Sequence, residues 1–203
     1  MTKERPILFS GAMVRAILDG RKTQTRRVLD DRTLGHLRAA ADFGEIFGLP
    51  DRGQIHPRDL VFISSFCRHG RPGDRLWVRE TWAQPAVLDP GPTVYRADYP
   101  ACVPAGFESV PPADEIAWKP SIHMPRVACR LVLEITGVRV ERLQDISEAD
   151  ATAEGAEPIL VPPDGGSCPY YEGFRALWDC INGAGAWEQN PWVWVVEFRR
   201  INE

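Results

Sequence analysis

No run of apolar residues in this chain is long enough to span a bilayer, and the opening Met1-Thr2-Lys3-Glu4-Arg5-Pro6 lacks a signal-peptide core. The expectation is a cytoplasmic protein with no membrane partner. An excess of positive charge is missing as well: 24 Lys and Arg stand against 28 Asp and Glu, for a net charge of −4. Coating long duplex DNA through counterion release needs the opposite balance, so that partner is not expected, although a local basic patch or a small nucleic-acid-derived ligand remains open. The five cysteines, Cys67, Cys102, Cys129, Cys168 and Cys180, are odd in number and contain no Cys-x-x-Cys pair. That argues against a disulfide framework and a regular zinc site. Cys67-x-His69 offers two ligands at most, and buried or incidental thiols explain these cysteines better. A phosphate loop, a dinucleotide fingerprint, a serine-hydrolase elbow and internal repeats are all absent.

What is present is an ordinary globular composition, 44% hydrophobic and 26% charged over 203 residues, enough for one sizeable core with insertions. Pro6 to Ser10 reads as a short strand. Ser10 then caps a helix whose Met13, Val14, Ile17 and Leu18 share a face, with Gly20 as its stop. Thr23 to Val28 is extended. Residues 30–60 are poorly periodic and read as an insertion with one helix, Leu34 to Asp42. Asp59 to Phe66 reads as a strand. In the next strand, Arg75 to Trp82, the residues Leu76, Val78, Glu80 and Trp82 share one face. A carboxylate among apolar neighbours must be paired, hydrogen-bonded or shifted in pKa, and an arginine partner or a role in a pocket would each satisfy Glu80.

Residues 83–120, rich in proline and glycine, are too long for a simple connection and read as a lid or surface excursion, with Thr93 to Ala97 as its one strand. His123 sits between prolines, where a site residue and an ordinary surface histidine look alike. Cys129 to Leu143 is the longest strand signal. Ser147-Glu148-Ala149-Asp150 opens a short helix in the manner of a capping box, ending at Glu154-Gly155. Residues 156–170 form another loop, Tyr170 to Asn182 is amphipathic with Phe174, Leu177, Trp178 and Ile181 at helical spacing, and Trp192 to Ile201 closes the chain as a strand. Six or seven strands with four short helices, interspersed too irregularly for βαβ repeats, predict an α+β fold: a small, mostly antiparallel barrel decorated with helices.

The chemistry concentrates in Gly20-Arg21-Lys22-Thr23-Gln24-Thr25-Arg26-Arg27. Four cations and two hydroxyls in eight residues fit either a solvated basic turn or a polar ligand site. A threonine hydroxyl beside a lysine and a glutamate can act as a nucleophile, with the lysine stabilising an oxyanion and the carboxylate moving protons. Lys22 and Thr25, three apart, point to opposite faces of a regular strand, so they converge only if Lys22 lies in the turn after Gly20 or a bulge intervenes.

The pattern Gly20-x-Lys22-x-x-x-x-Arg27, after a strand and a helix, resembles the signature of the ASCH domain family. The closing Trp-Val-Trp-Val-Val-Glu-Phe and the Pro-Gly-Asp-Arg-Leu-Trp-Val-Arg-Glu segment look like its longer, phage-associated members, and the resemblance covers most of the chain. It implies a PUA-like barrel related to RNA-binding domains. It also implies, from the small members, an amidohydrolase that removes the acyl group from N4-acetylcytidine with no cofactor and no metal. The catalytic lysine and threonine fall on Lys22 and Thr25, and the glutamate falls best on Glu154, with Glu148 and Glu157 as rivals. Arg27, Glu80, Trp82 and His123 are candidates for holding the base. The implied partner is a nucleoside or single-stranded RNA, and other members bind or cleave RNA. The small enzymes are about half this length, so 30–60, 83–120 and 156–170 have no counterpart in them.

Overall fold

The closing strand organises the molecule. Its sequence Trp192-Val193-Trp194-Val195-Val196 is apolar without alternation, the pattern of a strand covered on both faces, and all five residues are buried. The computed structural model describes residues 2–49, 55–85, 88, 91–107, 109–160 and 168–201. In it, β1 (Glu4–Leu8), β2 (Gln24–Val28), β3 (Arg75–Arg79), β6 (Val132–Arg142) and β7 (Trp192–Ile201) form one five-stranded sheet ordered β1-β3-β6-β7-β2. β4 (Trp82–Ala83) and β5 (Val94–Tyr95) form a separate small ladder. Only the β1–β3 pair is parallel; β3–β6, β6–β7 and β7–β2 are antiparallel. The α+β class and the mostly antiparallel sheet are as expected.

The closed barrel is not. Among the described residues no backbone ladder joins the two edge strands, β1 and β2. The sheet curls far enough for the Arg27 guanidinium of β2 to donate to the Leu8 carbonyl of β1 at 2.8 Å. A side chain therefore spans the seam where a barrel would have main-chain hydrogen bonds, and Pro6 deprives β1 of one ladder donor.

Among the described residues five α-helices flank the sheet. α1 (Gly11–Leu18) starts at Ser10, whose hydroxyl accepts from the Met13 N–H, and it buries Val14, Ala16 and Ile17. α2 runs Asp31–Asp42, three residues earlier than expected, because Asp30 accepts from the Thr33 N–H and caps the first turn. The expected strand over Asp59 to Phe66 is instead α3 (Pro57–Ser64). There the His56 ring caps the start, Pro57 opens the first turn, and Val61 lies 82% exposed while Ile63 is fully buried. The run is apolar without being uniformly inward, and the capping chemistry decides for helix. These helices and the concave face of the sheet enclose the main core, with Ile7, Phe9, Leu76, Leu133, Trp194 and Phe198 in it.

On the other face, α4 (Glu148–Ala153) and α5 (Pro169–Asn182) cover Val193 and Val195 through Ala151, Phe174 and Trp178, joined by Trp187 from the turn after α5. A bulge between Ile135 and Gly137 bends β6. A Cβ at Gly137 would stand 2.5 Å from a Glu197 carboxylate oxygen, so the glycine leaves that carboxylate its place. The segment after β3 carries a small core of its own around Ala83, Leu88, Val94 and Ile116. The expected strand to Trp82 stops at Arg79, and Trp82 pairs with Tyr95 instead.

Candidate functional site

Lys22 reaches the interior because α1 ends where it does. Gly20 takes φ +75°, a conformation costly for a residue with a Cβ, and the N–H groups of Arg21 and Lys22 both fall on the Ala16 carbonyl at 2.9 Å. This tight turn leaves Arg21 exposed and drives Lys22 inward, to 2% exposure. β2 begins only at Gln24, so Lys22 lies in the turn and escapes the strand alternation that would have separated it from Thr25.

The turn is met by the end of α4. The Thr23 N–H donates to the Ala153 carbonyl at 2.8 Å. Gly155, at φ +75°, admits the close approach, since a Cβ there would lie 2.8 Å from the Ala16 Cβ and 3.0 Å from the Lys22 Cβ. Between them sits Glu154, the C-cap of α4 and 4% exposed. Lys22 Nζ donates to Glu154 Oε2, the Glu154 carbonyl and the Gln24 carbonyl, each at 2.8 Å. An ammonium has three protons, and all three are engaged. Burial draws the Lys22 ammonium below its ordinary pKa, and Glu154 opposes that shift.

The other oxygen of Glu154 accepts from Arg26 Nη1 at 3.1 Å. Arg26 also pairs with Glu141, accepted by Oε1 from Nε at 3.1 Å. Arg139 extends the network to Glu141 and Asp150, each at 3.0 Å, and to Glu197. The rival carboxylates are occupied elsewhere. Glu148 accepts from the Tyr170 and Tyr171 N–H groups at 2.9 and 2.8 Å, capping α5. Glu157 pairs with Arg21 at the surface. Of the three glutamates, the structure brings Glu154 to Lys22.

Thr25 and Arg27 share the concave face of β2, paired with Val196 and Trp194, while Arg26 pairs with Val195 on the other. Along the free edge of β2 lies a cleft of about 70 Å³ whose lining includes Thr25, Arg27, Glu154, Met13, Phe174 and Trp178. The Thr25 side chain is buried, and no hydrogen bond engages its hydroxyl among the described residues. Arg27 is held by its bond to Leu8 and by the Phe9 ring, 5.5 Å from its guanidinium carbon. Its Nε–H is buried without a partner.

The remaining expected base-holding residues stand apart from this cleft, and none lines it. Glu80, 1% exposed, is held by Arg130 at 2.9 Å through both carboxylate oxygens, and Arg130 also clamps Asp98 at 2.7 and 2.8 Å. Burial raises the Glu80 pKa against the pull of Arg130. This is the arginine partner, and it ties the excursion after β3 to the sheet. Trp82 packs with Met124 and Ala128 beneath the Lys119 ammonium, 4.6 Å from its ring centroid. His123 is exposed, in a 3-10 turn. No described residue of 83–120 lines the cleft, so α5 forms its outer wall in place of the expected lid.

Two contributors had no role in the sequence reading. Arg26 was one cation among four, and the two-residue alternation with Gln24 was its available signal. Trp178 was legible as a helix-face residue, and nothing in the sequence tied that face to Thr25. His69 lies near Arg27, Arg68 and Arg5, and burial, reinforced by those charges, lowers its pKa to about 4. Among the described residues, no group of three His, Cys, Asp or Glu side chains is arranged to hold a metal ion, and no helix is long and apolar enough to cross a membrane. No protein-family model, curated protein or solved structure compared with the chain matches it.

Proposed function

We propose that this chain is an amidohydrolase of ASCH type that removes a small acyl group from an N4-acylated cytosine nucleoside, on a PUA-like barrel whose seam is left open. The observation that carries the proposal is the meeting of Lys22 and Glu154 at 2.8 Å, from positions 132 apart; Glu154 lines the same cleft as Thr25, and Lys22 stands behind it, outside the lining. Ammonium, carboxylate and an uncommitted hydroxyl are the three groups that acyl transfer through threonine needs. Glu154 accepts the proton as Thr25 Oγ1 adds to the acyl carbon. The C–N bond then breaks, and that proton goes to the leaving amine. Water adds to the resulting ester and gives its proton to Glu154, which returns one to Thr25 as the free acid departs. Because its protons are taken, Lys22 acts by fixing Glu154 and by the field of its charge.

A second reading has its own support. The cleft falls below the roughly 300–1,000 Å³ typical of sites for whole small molecules, so only the acyl end enters it as it stands. A module that binds a modified base or single-stranded RNA without chemistry fits a saturated ion pair equally well. The discriminating experiment is chromatography of N4-acetylcytidine after incubation with the purified chain and with Thr25→Ala, a change that leaves the ion network intact. Turnover by the wild type, reduced about 10²-fold or more in the variant, supports hydrolysis. No turnover with salt-sensitive RNA binding moves the assignment to the binding module, and cleaved RNA to a ribonuclease.

A further inference from the structure

The cleft beside Thr25 contains more hydrogen-bonding capacity than the fold uses. Two of its lining residues carry buried N–H groups with no acceptor, Arg27 Nε and Trp178 Nε1. Trp178 is 6% exposed. An unpaired donor shut away from water costs about 1–3 kcal/mol, and such groups are rare in native folds. Trp82 and Trp194 also leave the indole N–H unpaired, but neither lines this cleft. What sets Trp178 apart is a second unpaired donor in the lining of the same cleft.

Both orphans are donors, and the Glu154 carboxylate is already engaged on both oxygens by Lys22 and Arg26. The unmet demand is therefore for an acceptor oxygen. Arg27 is fixed in place by Leu8 and Phe9, so its N–H is held in position before any ligand arrives, and preorganised donors stabilise developing negative charge best. Size narrows the ligand further. A cavity of roughly 150 Å³ holds benzene, and this one is about 70 Å³, with Met13 and Phe174 as apolar walls for a methyl group. We propose that the cleft is an acetyl-sized acceptor pocket in which Arg27 Nε–H and Trp178 Nε1–H donate to the acyl oxygen. Identifying that oxygen with the reacting carbonyl rests on the amidohydrolase reading; the binding of a small carboxylate does not.

The test is titration of the ¹⁵N-labelled full chain with sodium acetate, following side-chain N–H signals by NMR. The Trp178 indole and Arg27 Nε–H signals should shift saturably, those of the other six tryptophans should not, and benzoate at equal concentration should leave all of them in place. Arg27→Lys, which retains charge but lacks Nε–H, should abolish the Trp178 shift. Absence of a saturable acetate shift, or an equal response to benzoate, overturns the pocket, and the wild-type titration decides this even if a variant fails to fold. In the turnover assay Trp178→Phe should lower kcat about 10²-fold. Acetate binding without turnover of N4-acetylcytidine sinks the hydrolase and keeps the pocket. Turnover unchanged in Trp178→Phe and Arg27→Lys, with no acetate shift, sinks the pocket and keeps the hydrolase.

Discussion

Replacing Lys22 with Met tests whether the Lys22–Glu154 pair is as buried and committed as its geometry indicates. Methionine matches the length and apolar stem of lysine, so the change removes a charge and three hydrogen bonds and leaves little cavity. What remains is Glu154, 4% exposed, with Arg26 on one oxygen and nothing on the other, while the Glu154 and Gln24 carbonyls lose a donor. Removing one partner of a buried pair costs about 3–5 kcal/mol, because the other charge is stranded. At about 2–4 °C per kcal/mol for a chain of this size, Tm should fall by roughly 6–20 °C, read by calorimetry or circular dichroism with urea unfolding as the energy scale. Glu154→Gln should be destabilising too. The double variant should cost less than the two losses together, by about 0.5–3 kcal/mol. A Lys22→Met loss below about 1 kcal/mol, the level of an exposed ion pair, would refute the reasoning.

Three further outcomes follow from individual contacts. Gly155→Ala combines a left-handed backbone with a 2.8 Å approach to Ala16 and should lose about 2–4 kcal/mol; urea unfolding checks it, and a neutral result would mean that α4 does not press on the Lys22 turn. Glu80→Gln removes one of the two carboxylates that clamp Arg130 and should cost about 3 kcal/mol, loosening the described residues between Trp82 and Ala128 first in hydrogen exchange. His69 has a folded pKa of about 4 against an ordinary 6.5, so the unfolded chain binds the extra proton between those values. The stabilisation is therefore full above pH 6.5 and is lost as pH falls toward 4. Between pH 7.5 and 5.5 the loss is about 1 kcal/mol, and His69→Gln should flatten that part of the curve, whereas an unchanged slope would place the titration elsewhere.

Much of this architecture was legible where one local signal dominated. The apolar Trp192 to Ile201 announced a closing strand, Ser10 and Ser147 announced helix starts, and Gly20 announced a helix stop with Lys22 in the turn after it, while the central place of that strand and the burial of Lys22 came only with the fold. The reading failed where local signals competed. Leu60 to Ile63 is apolar enough for a strand, and only the preceding His56-Pro57 start shows that the helix prevails. Glu80 was flagged correctly as a charge needing a partner, but identifying Arg130 requires knowing that β3 and β6 are neighbours. The cleft was the least accessible feature, because its outer wall is α5, and periodicity records which residues share a face without recording what that face covers.

The saturation of Lys22 constrains any chemistry at this site. An ammonium whose protons are held by two backbone carbonyls and a carboxylate cannot donate to an oxyanion without breaking one of those bonds, and inside the protein the abandoned acceptor would go unpaired at a cost of about 1–3 kcal/mol. A catalyst gains nothing from that exchange when other donors are available. Arg27 Nε–H and Trp178 Nε1–H are such donors, already desolvated and with no bond to surrender. On the amidohydrolase proposal, the ion pair and the orphaned N–H groups divide the work: the pair fixes the carboxylate that shares the cleft with Thr25, and the orphans are the donors for the charge that develops on the acyl oxygen. On this division Lys22→Met should affect stability and kcat together, whereas Trp178→Phe should affect kcat far more than stability. A Trp178→Phe variant that loses stability and activity in the same proportion as Lys22→Met would show that the division is wrong.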